Sequence, residues 1–354
     1  MLAGLFNKKN KPLLGIDISS TSVKVLELSR AGHSYRVESY ASEPLPANAV
    51  VEQSINNEEA VAEAVRRAVT RSRTTAKAAV LAVAGSSVIT KIVQMSADLS
   101  DDEMDYQIRA EADQYIPYPI EEVALDWEII GPTENNKDTV DVLLAACRSE
   151  TVERRKDSAE IAGLEVAKVD VEAFCTERAY ELLAGQIEGV NPEVVAILDV
   201  GSTMTTMNIL HRGASIYTRE QLFGGRQLTE DIMRRYGLSY DEAERAKQDA
   251  SLPDDYEAAV LDPFRRAVVQ QLSRSLQFFY SSSKFNDVDL IVLAGGAAMV
   301  KGLDDMVSDV LDTPVIIANP FVSMTISQKV NASLLAENAP SLMIAAGLAM
   351  RSFD

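Results

Sequence analysis

The stretch LLGIDISSTSVKVLEL, Leu13 to Leu28, places one acid, Asp17, in an apolar strand and follows it with four hydroxyl residues, Ser19 to Ser22. Turns between strands are ordinarily built from Gly, Asn or Pro, which relieve or preset the backbone. Here the turn offers side chains that donate hydrogen bonds. The segment VAILDVGSTMTTMNIL, Val195 to Leu210, repeats the design. Placing Asp17 on Asp199 puts Ser19 on Gly201, Ser20 on Ser202 and Thr21 on Thr203. Two strand-turn-strand units of one kind, amid segments that alternate between strand and helix periods, predict an α/β protein of two related lobes with mixed sheets.

Composition narrows the function. A chain of 354 residues is long enough for two lobes, each with its own core. The formal net charge of -19 repels phosphate backbones, and the absence of a Lys/Arg run argues against nucleic acid as a partner. Cys147 and Cys175 lie in apolar stretches and read as core residues of a reducing compartment. Two histidines, His33 and His211, leave little for a His-rich metal site or a Ser-His-Asp triad. The opening MLAGLFNKKNKP is too short for a signal peptide or a span. It could dip into a bilayer, or it is a frayed tail. The expectation is a cytoplasmic protein.

Along the chain, AAVLAVAG, VITKIVQM, VALDWEII and TVDVLLAAC read as strands. Ser100 and Glu103 form a capping box for a helix that puts Met104, Ile108, Ala112 and Tyr115 on one face. A helix from about Glu150 to Ala162 is closed by Gly163 and leads into LEVAKVD and the helix VEAFCTERAYELL. After a break near residue 190 come the second turn unit, a helix from Gly224-Gly225 to Gly237, and a helix capped by Ser239 and Glu242. The strand DLIVLAGG with its following helix, and the helical stretch SLMIAAGLAMR, complete the chain.

Paired hydroxyl- and Gly-rich turns, each beside an Asp, suit a polyphosphate held with a divalent cation between the lobes. Turn N–H groups and hydroxyls make anion nests, and carboxylates hold Mg²⁺ directly or through its waters. One such turn alone is common in proteins that bind nothing. A third element, LIVLAGGAAMVKGLDDMV, lets a base or ribose approach the backbone at Gly295 and Gly296 and leads into a helix whose N-terminus would offer its dipole to phosphate. Gly there also suits tight packing in an ordinary βα loop. Neither a P-loop nor a dinucleotide fingerprint follows any strand.

In this order the three elements resemble the actin-like ATPase superfamily, which includes actin, the seventy-kilodalton chaperones, sugar kinases and FtsA. The resemblance implies ATP or ADP with Mg²⁺ as cofactors. Asp17 and Asp199 would serve the metal through water. Ser19, Ser20, Thr21, Lys24, Gly201, Ser202 and Thr203 would serve the phosphates, and Gly295 and Gly296 would face the adenosine. Glu172 falls where the superfamily orients an attacking water, although a salt-bridged acid on a helix face fits the same position. Glu244 and Lys247 match a region near the ribose, and solvated helix charges fit them equally well.

The segment between Val88 and Glu165 narrows the likeness. FtsA carries its extra subdomain at this late position, and MDYQIRAEADQYIPYPIEEVALDWEII together with KPLLGIDISSTSVKVLEL resembles the PilM family of type IV pilus assembly. The implied division is a first lobe at 1–87 and 166–190, an FtsA-type insert at 88–165, a second lobe at 191–338 and a connecting helix at 339–354. Pro117 and Pro119 stop the helix, and Tyr115, Tyr118 and Trp127 offer a rigid ledge that lines a peptide groove or forms only the hinge and core of the insert. The resemblance implies a groove for the N-terminal cytoplasmic segment of PilN, other pilus-machine partners at the inner membrane, self-association, and weak or absent hydrolysis. The alternatives are an FtsA-like filament former, a small-molecule kinase of the same fold, and a secretion-system homologue with a degenerate pocket. A filament former is expected to end in an amphipathic membrane helix, whereas this sequence stops at Asp354, which fits attachment through a partner better.

Overall fold

The computed structural model describes residues 12–354 apart from positions 33, 135, 188, 190 and 250. The MLAGLF segment and His33 lie outside the described residues. Strands β1 (Leu13–Ile18), β2 (Ser22–Ala31) and β3 (Ser34–Pro44) form a meander, and the hairpin β4 (Val50–Val51) with β5 (Ser54–Ile55) follows. Helix α1 (Glu58–Ser72) starts where the Asn57 side chain accepts from the Ala60 amide and stops where Arg73 turns left-handed. Strand β6 (Ala78–Val83) lies parallel to β1 and is buried at every position, as a strand covered on both faces must be.

The chain then leaves the first lobe. Strands β7 (Val88–Ser96), β8 (Val123–Thr133) and β9 (Asn136–Arg148) form a separate sheet in the order β7-β9-β8. Helix α2 (Asp101–Ala110) has both halves of its capping box in place and buries Met104 and Ile108 against Met95, Val142 and Leu144. The helix expected to carry Ala112 and Tyr115 onward stops at Ala110, and a single 3₁₀ turn, Ala112–Gln114, replaces its last part. Pro117 bars the α conformation from the residue before it, so the turn ends in an extended segment. Helix α3 (Ser149–Ile161) returns to the first lobe and packs on α1, with Ala159 and Leu164 joining that lobe's core. Strand β10 (Glu165–Val171) pairs with β6.

Helix α4 (Glu172–Tyr180) leads to the second lobe, where β11 (Val194–Val200), β12 (Thr205–His211) and β13 (Ala214–Gln221) repeat the meander of the first. Helices α5 (Gly225–Tyr236), α6 (Tyr240–Gln248) and α7 (Asp262–Ser282) pack against this sheet. Strand β14 (Leu290–Ala294), helix α8 (Leu303–Leu311) and β15 (Val315–Ile317) give the order β13-β12-β11-β14-β15. A short β16 (Thr325–Ile326) adds to β3, and α9 (Ala332–Asn338) and α10 (Met343–Met350) follow. The stretch Ala332–Phe353 is apolar and long enough for a membrane helix, but it divides into α9, a 3₁₀ turn and α10, and most of it is buried.

Helices α4 and α10 lie between the two sheets. There Leu26, Leu28 and Val37 of one lobe share a core with Val195, Ile197 and Val292 of the other, bridged by Leu183, Met343 and Ala346. The helices cross most tightly at Gly347, where a Cβ would stand 2.0 Å from the Cys175 carbonyl oxygen.

Candidate functional site

The two turns are the same object built twice. Ser19 N–H donates to the Ser22 carbonyl at 3.0 Å, and Gly201 N–H donates to the Met204 carbonyl at 2.9 Å. Asp17 stands opposite Lys24 in its hairpin as Asp199 stands opposite Thr206 in the other. The tips meet across the lobes, where the Thr203 hydroxyl donates to Ser20 Oγ at 3.1 Å. Around this contact opens a cleft of about 1630 Å³. Its walls include Asp17, Ser19, Ser20, Thr21, Lys24, Glu172, Asp199, Gly201, Ser202, Thr203, Glu244, Lys247, Gly295 and Gly296, so the structure brings every candidate residue to one place.

The charges there are unevenly paired. Lys24 Nζ donates to Asp17 Oδ2 at 2.8 Å. Burial works to lower the Lys24 ammonium, but Asp17, with smaller help from Asp199 and Glu172, raises it on balance. Asp199 is pushed up to about 6 by burial, with Lys24 opposing and Asp17 adding to the shift. Glu172 is pushed up to about 8 by burial, against Arg155 and with the charges of Asp17, Glu220 and Asp199. Among the described residues no hydrogen-bond donor reaches either carboxylate, and the Arg155 guanidinium stops 4.0 Å from Glu172. Three carboxylates therefore surround one ammonium, a field that a hard cation with oxygen ligands would relieve. Among the described residues no cluster of three or more His, Cys, Asp or Glu could cage a metal. A Mg²⁺ ion fits only with water and a ligand's phosphate oxygens completing its shell.

The third element departs from expectation in one respect. Gly295 has φ +84°, and a Cβ on it would stand 2.4 Å from Asp199 Oδ1, so glycine is needed for the loop to pass behind the acid. Gly296 is exposed to the cleft with open space at its Cβ position. No α-helix starts there. Gly296–Met299 is a 3₁₀ turn, and α8 begins only at Leu303, after the left-handed Gly302. The helix that follows this strand therefore begins beyond the loop, at Leu303, and not at the glycines. The amides at the start of α5 are also engaged, Gly225 and Arg226 donating to the carbonyls of Gly201 and Ser202. On the lobe-two wall, Lys247 Nζ donates to Glu244 Oε1 and to Thr229 Oγ1, each at 2.7 Å, so these charges pair with one another at the cleft.

Several residues at the site have no motif to announce them. Arg155 is buried and donates to the carbonyls of Ile18 at 3.3 Å and Gln53 at 3.0 Å. In VERRKD it reads as one more solvated helix charge. Glu220 of β13 accepts from the Ser86 amide at 3.0 Å, tying the second lobe to the loop after β6. Buried Asn208 donates to the Ala173 carbonyl at 3.1 Å and so holds the start of α4 on the second lobe.

The raised carboxyls set a pH dependence. Unfolded Asp and Glu titrate near 3.9 and 4.3. Between those values and about 6 for Asp199 or about 8 for Glu172, the folded protein holds more protons than the unfolded chain. The stability from the neutral carboxyls is full below the unfolded values and is lost as pH rises through the folded ones. Glu172→Gln is expected to flatten the fall between about pH 5 and pH 8 in urea unfolding without ligand. An unchanged slope would show that Glu172 is already ionised at neutral pH.

Residues 15–353 match the family described as type IV pilus assembly protein PilM. A solved structure described as the PilM-PilN type IV pilus biogenesis complex superposes with a TM-score of 0.80 at 27% identity, over 97% of this chain and 98% of that one. The ethanolamine utilization protein EutJ from Carboxydothermus hydrogenoformans matches at TM-score 0.59 and 14% identity, over 96% and 89% of the two chains. A diol dehydratase-reactivating factor in nucleotide-free form matches at 0.56 and 10%, over 96% and 99%. The last two speak for the fold alone. The architecture is that of the actin-like ATPases, and the chain belongs to the PilM family of type IV pilus assembly proteins.

Proposed function

We propose that this chain is an ATP-binding adaptor of the type IV pilus inner-membrane platform. Mg·ATP or Mg·ADP sits between the lobes, with Asp17 and Asp199 facing the hydrated metal and the two turns and Lys24 the phosphates. Gly295 and Gly296 border the adenosine, with Glu244 and Lys247 on the ribose side. Glu172, on the cleft wall, would be the residue that positions an attacking water, and turnover is slow or absent. The N-terminal cytoplasmic segment of PilN docks between the FtsA-type insert, 88–165, and the first lobe, which keeps the protein in the cytoplasm at the inner membrane. Val88 to Arg148 carries fourteen acids and four bases, a net of -10 out of the chain's -19, which repels anionic lipid and favours attachment through a protein partner over direct contact with the membrane. The observation that carries the nucleotide half is the meeting of two matched turns at Thr203 and Ser20, in the cleft that also holds Asp199 and Glu172, carboxylates that no donor among the described residues reaches.

Mg·ATP at about 100 times its dissociation constant is expected to add about 2.7 kcal/mol to stability. In a thermal melt this appears as an upward shift of a few degrees. Asp199→Ala, which leaves the Lys24–Asp17 pair intact, removes the shift. No shift in the wild-type chain, after any co-purified nucleotide is stripped, overturns the nucleotide site. Recovery from membranes with and without the first dozen residues of PilN tests the docking half. Equal recovery overturns it.

A further inference from the structure

We propose that Arg155 couples the insert to the nucleotide cleft, making it a positioning residue through which a partner on the insert is felt at the site. This rests on the adaptor reading above and names its regulation. The covalent path is short. Strand β9 ends at Arg148 and α3 begins at Ser149 with no linker, so the central strand of the insert runs directly into a helix. Arg148 holds its guanidinium over the Tyr118 ring, 4.2 Å from the centroid, in the proline-stiffened ledge after α2. Seven residues on, two turns along the same face, Arg155 enters the first lobe.

There its guanidinium is gripped from three directions. It donates to the carbonyl of Ile18, the last residue of β1 before the phosphate turn. It donates to the carbonyl of Gln53, at the tip of the β4-β5 hairpin. It faces Glu172 at 4.0 Å. Both hairpin-tip residues have positive φ, 47° at Glu52 and 66° at Gln53, a conformation costly for non-glycine residues and held by outside contacts such as this one. Ser86 supplies another, its hydroxyl donating to Gln53 Oε1 at 2.9 Å. Turn, hairpin tip and Glu172 all line the cleft, yet the residue that joins them belongs to the helix driven by the insert.

Burial makes the junction close to all-or-none. A guanidinium that is almost wholly shielded from water cannot exchange its carbonyls for solvent when α3 shifts. Movement of the insert must then either carry Ile18, Gln53 and Glu172 along or break the junction. Surface pairs on the same helix, such as Arg154 with Glu150, are half in solvent and re-form freely.

The test is calorimetric titration of Mg·ATP into the full chain, alone and saturated with a peptide of the first dozen residues of PilN. In the wild type the peptide is expected to change the ATP affinity by at least about fivefold, the lower end of ordinary allosteric coupling. In Arg155→Gln the two separate affinities remain measurable and the ratio falls to within about twofold. An unchanged ratio in Arg155→Gln overturns the proposal, as does a ratio near one in the wild type when both ligands bind. Failure of either ligand to bind the wild type overturns the adaptor reading, and the coupling with it. Should Arg155→Gln not fold, hydrogen exchange on the wild type decides. Peptide binding must alter amide protection in α3 and at Glu52–Ser54, and a change confined to 88–148 overturns the proposal.

Discussion

Replacing Asp17 by alanine is expected to cost about 3–5 kcal/mol of stability in the ligand-free protein, more than any loss of nucleotide affinity would suggest. Asp17 is 4% exposed and Lys24 donates to it at 2.8 Å, on adjacent strands of the first hairpin. Truncating the acid leaves a largely buried ammonium whose remaining carboxylates, Asp199 and Glu172, have pKa values already pushed up to about 6 and about 8. Deleting both partners should be milder, since a buried pair replaced by apolar groups of similar size is often neutral. Asp17→Leu with Lys24→Met is therefore expected to recover most of the urea midpoint lost by Asp17→Ala and to bind no nucleotide. A cost below about 1 kcal/mol for Asp17→Ala, the range of solvent-exposed pairs, would show that water reaches the ammonium.

Gly347→Ala is the second large effect, and its sign opposes helix propensity. In a helix interior alanine is favoured over glycine by about 1 kcal/mol. At Gly347 the added Cβ would lie 2.0 Å from the Cys175 carbonyl oxygen and 2.7 Å from its Cα, both backbone atoms of α4 that cannot rotate away. The helices must separate, and they carry the core shared by the two lobes. A loss of about 3 kcal/mol is expected, at the upper end of ordinary overpacking, read as a lower urea midpoint with an unchanged slope. Equal or greater stability would mean that α4 and α10 can slide apart freely.

Much of the site was legible because the chain writes it twice. Asp17 and Asp199, with their following turns, share both spacing and backbone bonds, and such local patterns survive in sequence because turn and strand pair within a few residues. The capping boxes at Ser100 and Ser239 were legible for the same reason. Helices α1 and α7 are not marked by such a box. Asn57 does cap α1 three residues before Ala60, but α7 begins at Asp262-Pro263 straight out of a π-helical turn with no side-chain cap. Gly-Gly after an apolar strand marks a loop that leads into a helix, but not where that helix begins. The loop's path is set by the need to clear Asp199, which is distant in sequence.

The sequence alone determined the two-lobed plan, the doubled turn and the acids beside it, because each rests on contacts among near neighbours. Tertiary structure alone decided that Thr203 reaches Ser20, that Glu172 sits close to Asp17 and Asp199, and that Arg155 is a buried junction rather than a solvated helix charge. These depend on burial and on proximity between distant parts of the chain, including hydrogen bonds across 183 and 137 residues, for which the chain carries no local signal. A charge in water and the same charge in a core are spelled identically, and only packing separates them.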